Sequence, residues 1–164
     1  MSTIIILPSW GWSYKDLEFF ISRIKSYKIF STKLTSYSIE GAKVICDGML
    51  SDLINLTPKF LILIADQGFV ELWDNTILRE FLIAANENLI KMIAISLAPL
   101  VLAKFGILKD RFATVNLDIF PEAEKIMKKY RVKLVDLKWV KDNNIITAKR
   151  ANYLPSDVLE EFSL

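Results

Sequence analysis

Three short apolar runs constrain this chain most. Residues 3–7 (Thr-Ile-Ile-Ile-Leu), 60–65 (Phe-Leu-Ile-Leu-Ile-Ala) and 91–95 (Lys-Met-Ile-Ala-Ile) are almost unbroken by polar side chains. A strand with one wet face alternates apolar and polar residues. An unbroken run needs cover on both faces, as in a parallel sheet flanked by helices. Helix-spaced segments separate these runs. Residues 16–26 carry Leu17, Phe20, Ile21 and Ile24 on one face, and residues 75–86 carry Ile77, Leu78, Phe81 and Leu82. Residues 98–105 are apolar and helix-length, with Gly106 placed to end them.

The remaining segments fill in an α/β order. Residues 28–34 and 42–46 read as a second and a third strand, and 47–55 as a turn with a short helix. Residues 121–130 read as a helix, and 133–140 with 144–148 as a hairpin around Lys141-Asp142-Asn143. Residues 155–162 close the chain as a helix with proline at its start. No linker or repeat divides the 164 residues, so a single domain over 1–164 is expected. Its fold class is an α/β three-layer sandwich around a mostly parallel sheet. In such sheets, sites form at the carboxyl ends of the strands. That selects the loops after Leu7, Ala65 and Ile95.

Composition excludes several functions. Lys and Arg number 21 against 19 acids, which is not the basic excess of a nucleic-acid binder. The densest basic spots, Lys125/Lys128/Lys129/Arg131 and Lys149/Arg150, read as solvated faces. No apolar stretch approaches the ~20 residues that span a bilayer, and no targeting segment is visible, so a cytoplasmic protein is expected. The lone Cys46 sits in an apolar context and reads as core. There is no histidine, which removes the usual general base near neutral pH and the commonest zinc ligand. No cofactor or metal is expected. The mean hydropathy of +0.32 is high. It fits either a partner covering apolar surface or strands buried on both faces.

One order of motifs goes further. Met92-Ile93-Ala94-Ile95-Ser96-Leu97-Ala98-Pro99 is followed by Leu102-Ala103-Lys104-Phe105-Gly106-Ile107-Leu108-Lys109-Asp110-Arg111-Phe112-Ala113-Thr114. This resembles the ThiJ/PfpI family. There, a strand ending Ala-Ile-Cys-His-Gly-Pro leads into a helix, then Ala-Gly-Leu-Leu, a charged turn and an Ala-Thr pair. Gly41–Asp47, the run at 60–65, the helix start at Asn75, Lys149-Arg150 after the strand at 144–148, and residues 154–162 are also similar. The resemblance implies a flavodoxin-like sandwich of the class I glutamine amidotransferase-like superfamily, usually a dimer or hexamer. It also implies a reactive cysteine on a tight strand-to-helix turn.

At that turn the sequence departs from the family. Ser96 stands in place of the cysteine, Leu97 in place of the common histidine, and Ala98 in place of the glycine. A serine hydroxyl ionises far above a thiol and needs an adjacent base. The family's first-loop carboxylate has no equivalent between Pro8 and Tyr14, since Asp16 and Glu18 lie within the helix. The family's glycine pair aligns with Asp66 and Gln67, followed by Gly68. An aspartate there would oppose a developing oxyanion. Glu71 falls where some hexameric relatives offer a glutamate to a neighbouring subunit. Trp10, Gly11, Trp12, Asp66, Gln67, Gly68, Leu97 and Ala98 are the candidate pocket around Ser96, open to a small-molecule ligand. Trp10 and Trp12 are equally candidates for an interface or for simple packing. The expectation is a divergent family member without cysteine-dependent activity, acting as a homo-oligomeric binding or stress-related protein. The alternative is a serine-dependent hydrolase using Ser96 with a non-histidine base. Neither nucleic acid nor membrane is expected as a partner.

Overall fold

The computed structural model describes residues 3–160. In chain order the elements are β1 (Thr3–Ile6), α1 (Tyr14–Ile21), β2 (Tyr27–Ser31), β3 (Thr35–Tyr37), β4 (Lys43–Ile45) and β5 (Gly48–Met49). A 3-10 turn (Leu50–Asn55) leads to β6 (Phe60–Ala65), α2 (Phe69–Leu72), α3 (Thr76–Glu87), β7 (Lys91–Ser96), α4 (Ala98–Lys104) and β8 (Phe112–Ala113). The chain ends in α5 (Ala123–Lys129), β9 (Lys133–Leu134), β10 (Trp139–Asp142), β11 (Ile145–Ala148), a second 3-10 turn (Ala151–Tyr153) and α6 (Ser156–Glu160). Of the helix expected at 155–162, the last two residues lie outside the described ones.

The central sheet has the order β10-β11-β7-β6-β1-β2-β5, parallel except for the antiparallel β10 edge. Its strands divide their side chains between two cores, as period-2 pleating requires. Ile4, Ile6, Leu61, Leu63, Met92 and Ala94 face one layer, where α3, α4 and α5 contribute Leu78, Leu82, Leu100 and Met127. Ile5, Leu7, Ile62, Ile64, Ile93 and Ile95 face the other, against Leu17 and Phe20 of α1 and Leu159 of α6. Burial on both faces explains the unbroken runs. Among the described residues, no helix is long and apolar enough to cross a membrane.

Three expectations needed correction. The strand expected at 42–46 does not join the central sheet. Its residues 43–45 pair antiparallel with β3 in a separate hairpin, and the short β5 takes the place beside β2. Lys43 and Ile45 are exposed while only Val44 is half-buried, so the segment has one inner face and cannot serve as a central strand. The segment 133–140 also splits. Lys133–Leu134 pairs in parallel with β8, and only Trp139–Asp142 forms the hairpin with β11. Asn143 turns that hairpin with φ +57°, a left-handed conformation that asparagine tolerates. The helix expected at 16–26 starts and ends earlier, over 14–21.

Candidate functional site

Ser96 is the last residue of β7, and α4 starts two residues on with Pro99 in its first turn. Its φ of +64° places a non-glycine residue in the left-handed region. That is the sharp strand-to-helix turn that lifts a nucleophile in elbow-type enzymes. Here the side chain is not presented to solvent: Ser96 is 0% exposed.

The Ser96 hydroxyl faces an amide. Asn116 Nδ2 donates to Ser96 Oγ at 3.3 Å and to the Lys149 carbonyl at 3.2 Å, while Asn116 Oδ1 accepts from the Ile119 N–H at 3.4 Å. These two backbone partners fix the amide orientation. A flipped amide would set oxygen against the Lys149 carbonyl and NH2 against the Ile119 N–H. Ser96 Oγ therefore receives a donor where a nucleophile needs a proton acceptor. Among the described residues, no Lys, Asp or Glu hydrogen-bonds to it. The backbone donors around the turn are also engaged. Leu97 N–H bonds the Ala65 carbonyl (2.8 Å), and the N–H groups of Asp66 and Gly68 both bond the Gly11 carbonyl (2.8 and 3.0 Å).

The expected pocket residues come together, but they fill the space between them. Gly11 and Gly68 lie backbone to backbone. A Cβ on Gly68 would stand 2.0 Å from the Trp10 carbonyl oxygen, and one on Gly11 would stand 2.5 Å from Gly68 N. Leu97 and Ala98 are fully buried in the core rather than lining an opening. So is Trp12, whose indole N–H donates to Ser36 Oγ at 2.7 Å. Its large apolar ring is held in the layer beneath the sheet. Trp10 and Gln67 remain exposed. Cys46 is buried as expected, and burial pushes its thiol up to about 11, with a smaller contribution from Asp47.

Glu71 turns toward its own chain. Oε1 accepts from the Ser9 N–H and from the Thr32 hydroxyl, and Oε2 accepts from Ser9 Oγ. Both carboxylate oxygens are held inside the protomer.

The expectation that Arg150 belongs to a solvated basic face is overturned. Its guanidinium spans the carboxyl end of the sheet. Nη1 donates to Asp16 Oδ2 (2.7 Å) and Asp66 Oδ1 (3.0 Å), and Nη2 donates to Asp66 Oδ2 (3.0 Å). Asp16 also accepts from the Ala151 N–H at 3.0 Å. Burial raises the Asp16 carboxyl above its ordinary range, while the Ala151 bond and Arg150 pull it back in part. Asp66 is thus the bidentate partner of a fixed cation, not the free charge expected opposite an oxyanion. Sequence reasoning missed Arg150 and Asn116. The only signals were that Lys149-Arg150 follows the last strand and that Asn116 follows the Ala-Thr pair.

With this geometry in hand, the comparisons with known proteins decide the family. The DJ-1/PfpI family model matches residues 23–161. The chain belongs to the DJ-1/PfpI family. An uncharacterized protein of Methanocaldococcus jannaschii is 35% identical over 127 residues, which is 76% of this chain and 60% of that protein. The chain therefore spans about three-fifths of that relative's length. The crystal structure of a ThiJ/PfpI domain protein from Brachyspira murdochii superposes with a TM-score of 0.80 at 18% identity, covering 98% of this chain and 96% of that one. Drosophila melanogaster DJ-1beta gives 0.74 at 18% identity, covering 90% and 82%. Both are similar in fold. In this chain the left-handed turn between β7 and α4 carries a serine, Ser96.

Proposed function

We propose that this DJ-1/PfpI protein acts without a nucleophile at the elbow, as a homo-oligomeric binding or stress-related protein. One observation carries the reading: Ser96 Oγ is sealed from solvent and receives the Asn116 amide N–H. Among the described residues, no Lys, Asp or Glu hydrogen-bonds to Ser96 to take its proton, and the left-handed turn then serves to pack β7 onto α4. The test is a fluorophosphonate probe on the folded protein, read by mass spectrometry, with Ser96→Ala as control. No adduct at residue 96 is expected. Stoichiometric labelling of Ser96, absent in the control, would overturn the reading in favour of a serine-dependent hydrolase, which the φ of +64° alone favours.

The oligomeric part rests on a different surface. β3 runs beside the loop at 8–12, with Tyr37 N–H bonded to the Ser9 carbonyl and Ile39 N–H to the Trp12 carbonyl. Trp10, Leu34, Tyr37, Ile39 and Ile45 are all exposed on this hairpin and loop, Ile45 by 75%. Apolar surface gathered in this way marks an interaction site. A second copy of the chain is the proposed cover. Light scattering at micromolar concentration is expected to give at least a dimer, and Ile45→Asp is expected to shift it toward monomer. A wild-type monomer would remove this part of the proposal.

A further inference from the structure

The hairpin of β3 and β4 leaves one strand edge open. In an antiparallel pair, alternate residues turn their N–H and C=O toward the partner strand, and the residues between turn them away. Here the even-numbered residues face inward: Cys46 N–H donates to the Leu34 carbonyl at 2.7 Å, and Ser38 N–H to the Ala42 carbonyl at 2.9 Å. The odd-numbered residues therefore face out. On β3 the outward donors are taken, because Tyr37 N–H bonds the Ser9 carbonyl and Ile39 N–H the Trp12 carbonyl. On β4 the outward N–H and C=O groups belong to Lys43 and Ile45, and they have no partner among the described residues. Both residues are exposed.

That edge is complementary to itself. When two copies are set antiparallel about a two-fold axis through Val44, Lys43 of each stands opposite Ile45 of the other. Every outward N–H then meets an outward C=O, and the lysine stem covers the exposed isoleucine. The charges agree as well. Asp47 lies two positions beyond Ile45, so it falls diagonal to Lys43 of the other copy, within reach of a long side chain. Lys43 has no side-chain partner among the described residues, and Asp47 uses only Oδ2, which accepts the Ile29 N–H at 2.8 Å. Tyr37 stands beside Lys43 in the hairpin register and shares its face, so it gains cover too. The outer edge of β3 is already held by the loop at 8–12. Pairing at β4 therefore leaves no second open edge on the hairpin and closes at two copies. We propose that two copies of this chain join edge to edge through β4, antiparallel about Val44, in one continuous ribbon.

This pairing rests on the reading of the hairpin and its loop as the oligomer surface, and it adds the backbone contact and its register. The test is amide hydrogen exchange on the full chain by NMR, at concentrations above and below dimer formation, beside light scattering. In the dimer the Lys43 and Ile45 amides are expected to exchange about tenfold or more slowly than in the monomer. Lys43→Pro removes an outward N–H that the fold does not use, and it leaves every exposed apolar side chain of the patch in place. It is expected to weaken the dimer about tenfold or more, with a folded spectrum like that of the wild type. Lys43→Gln, which removes only the charge, is expected to weaken it about threefold or less. The two readings fail differently. A wild-type dimer in which the Lys43 and Ile45 amides exchange as freely as in the monomer would overturn the edge pairing alone. So would a Lys43→Pro dimer as tight as the wild type. A wild-type monomer would overturn both.

Discussion

Replacing Arg150 with alanine is expected to lower stability by about 3 kcal/mol, as read by urea unfolding near pH 7. Removing one partner of a buried ion network leaves the others uncompensated, at a typical cost of about 3–5 kcal/mol. The low end applies because Arg150 is partly solvated. The loss is spread widely, since Asp16 lies in α1, Asp66 after β6 and Arg150 after β11. The pH dependence separates this mechanism from simple loss of packing. Burial holds the folded Asp16 carboxyl above its ordinary 3.8. The native state therefore binds a proton more readily than the unfolded chain. The stability contributed by this group is complete below 3.8 and declines as pH rises through the raised folded value. In Arg150→Ala the cation that opposes this shift is gone, so the decline steepens. The variant's deficit should be largest at neutral pH and shrink as Asp16 protonates in acid. A deficit constant across the carboxylate range would mean that Arg150 acts through its aliphatic stem alone. Arg150→Lys should recover only part of the loss, because an ammonium cannot make the bidentate contact with Asp66.

The same residue shows what sequence alone could and could not carry. The three unbroken runs were legible because burial on both faces leaves a local trace, and β1, β6 and β7 lie where it points. The elbow was legible from the order of motifs around Ser96. The missing histidine took away the usual base for Ser96 before any geometry was known. Arg150 left no such trace. It sits beside Lys149, and its environment is set by Asp16 and Asp66, which lie 134 and 84 residues away. Asn116 is similar, because the direction of its amide depends on the Lys149 carbonyl and the Ile119 N–H. Trp12 and Trp10 flank the same glycine, yet one is core and the other surface. Ser36, on a hairpin whose place in the fold was misread, supplies the indole's partner.

Replacing Gly68 with alanine is expected to cost about 3 kcal/mol or more, although its backbone conformation suits any residue. Its φ is −64° and its ψ −7°, ordinary helical values at the start of α2. On backbone grounds alone, alanine there should be slightly stabilising. Space decides the sign. The new Cβ would lie 2.0 Å from the Trp10 carbonyl oxygen and 2.7 Å from Pro8 Cγ. The loop at 8–12 has little room to retreat. The Gly11 carbonyl holds the N–H groups of Asp66 and Gly68, the Ser9 carbonyl holds Tyr37 N–H, and the Pro8 carbonyl holds the Ser36 hydroxyl. Overpacking a well-packed site typically costs about 1–3 kcal/mol, and displacing these backbone bonds adds to it. Gly106 is the control. Its φ of +80° penalises a side chain, but nothing lies within 4 Å of its would-be Cβ. Gly106→Ala should cost about 1–2 kcal/mol, the conformational penalty alone. Gly68→Ala losing clearly more than Gly106→Ala in paired urea titrations is the expected order. The reverse order would mean that the loops closing over the elbow separate easily, and that the candidate pocket around Ser96 opens in solution.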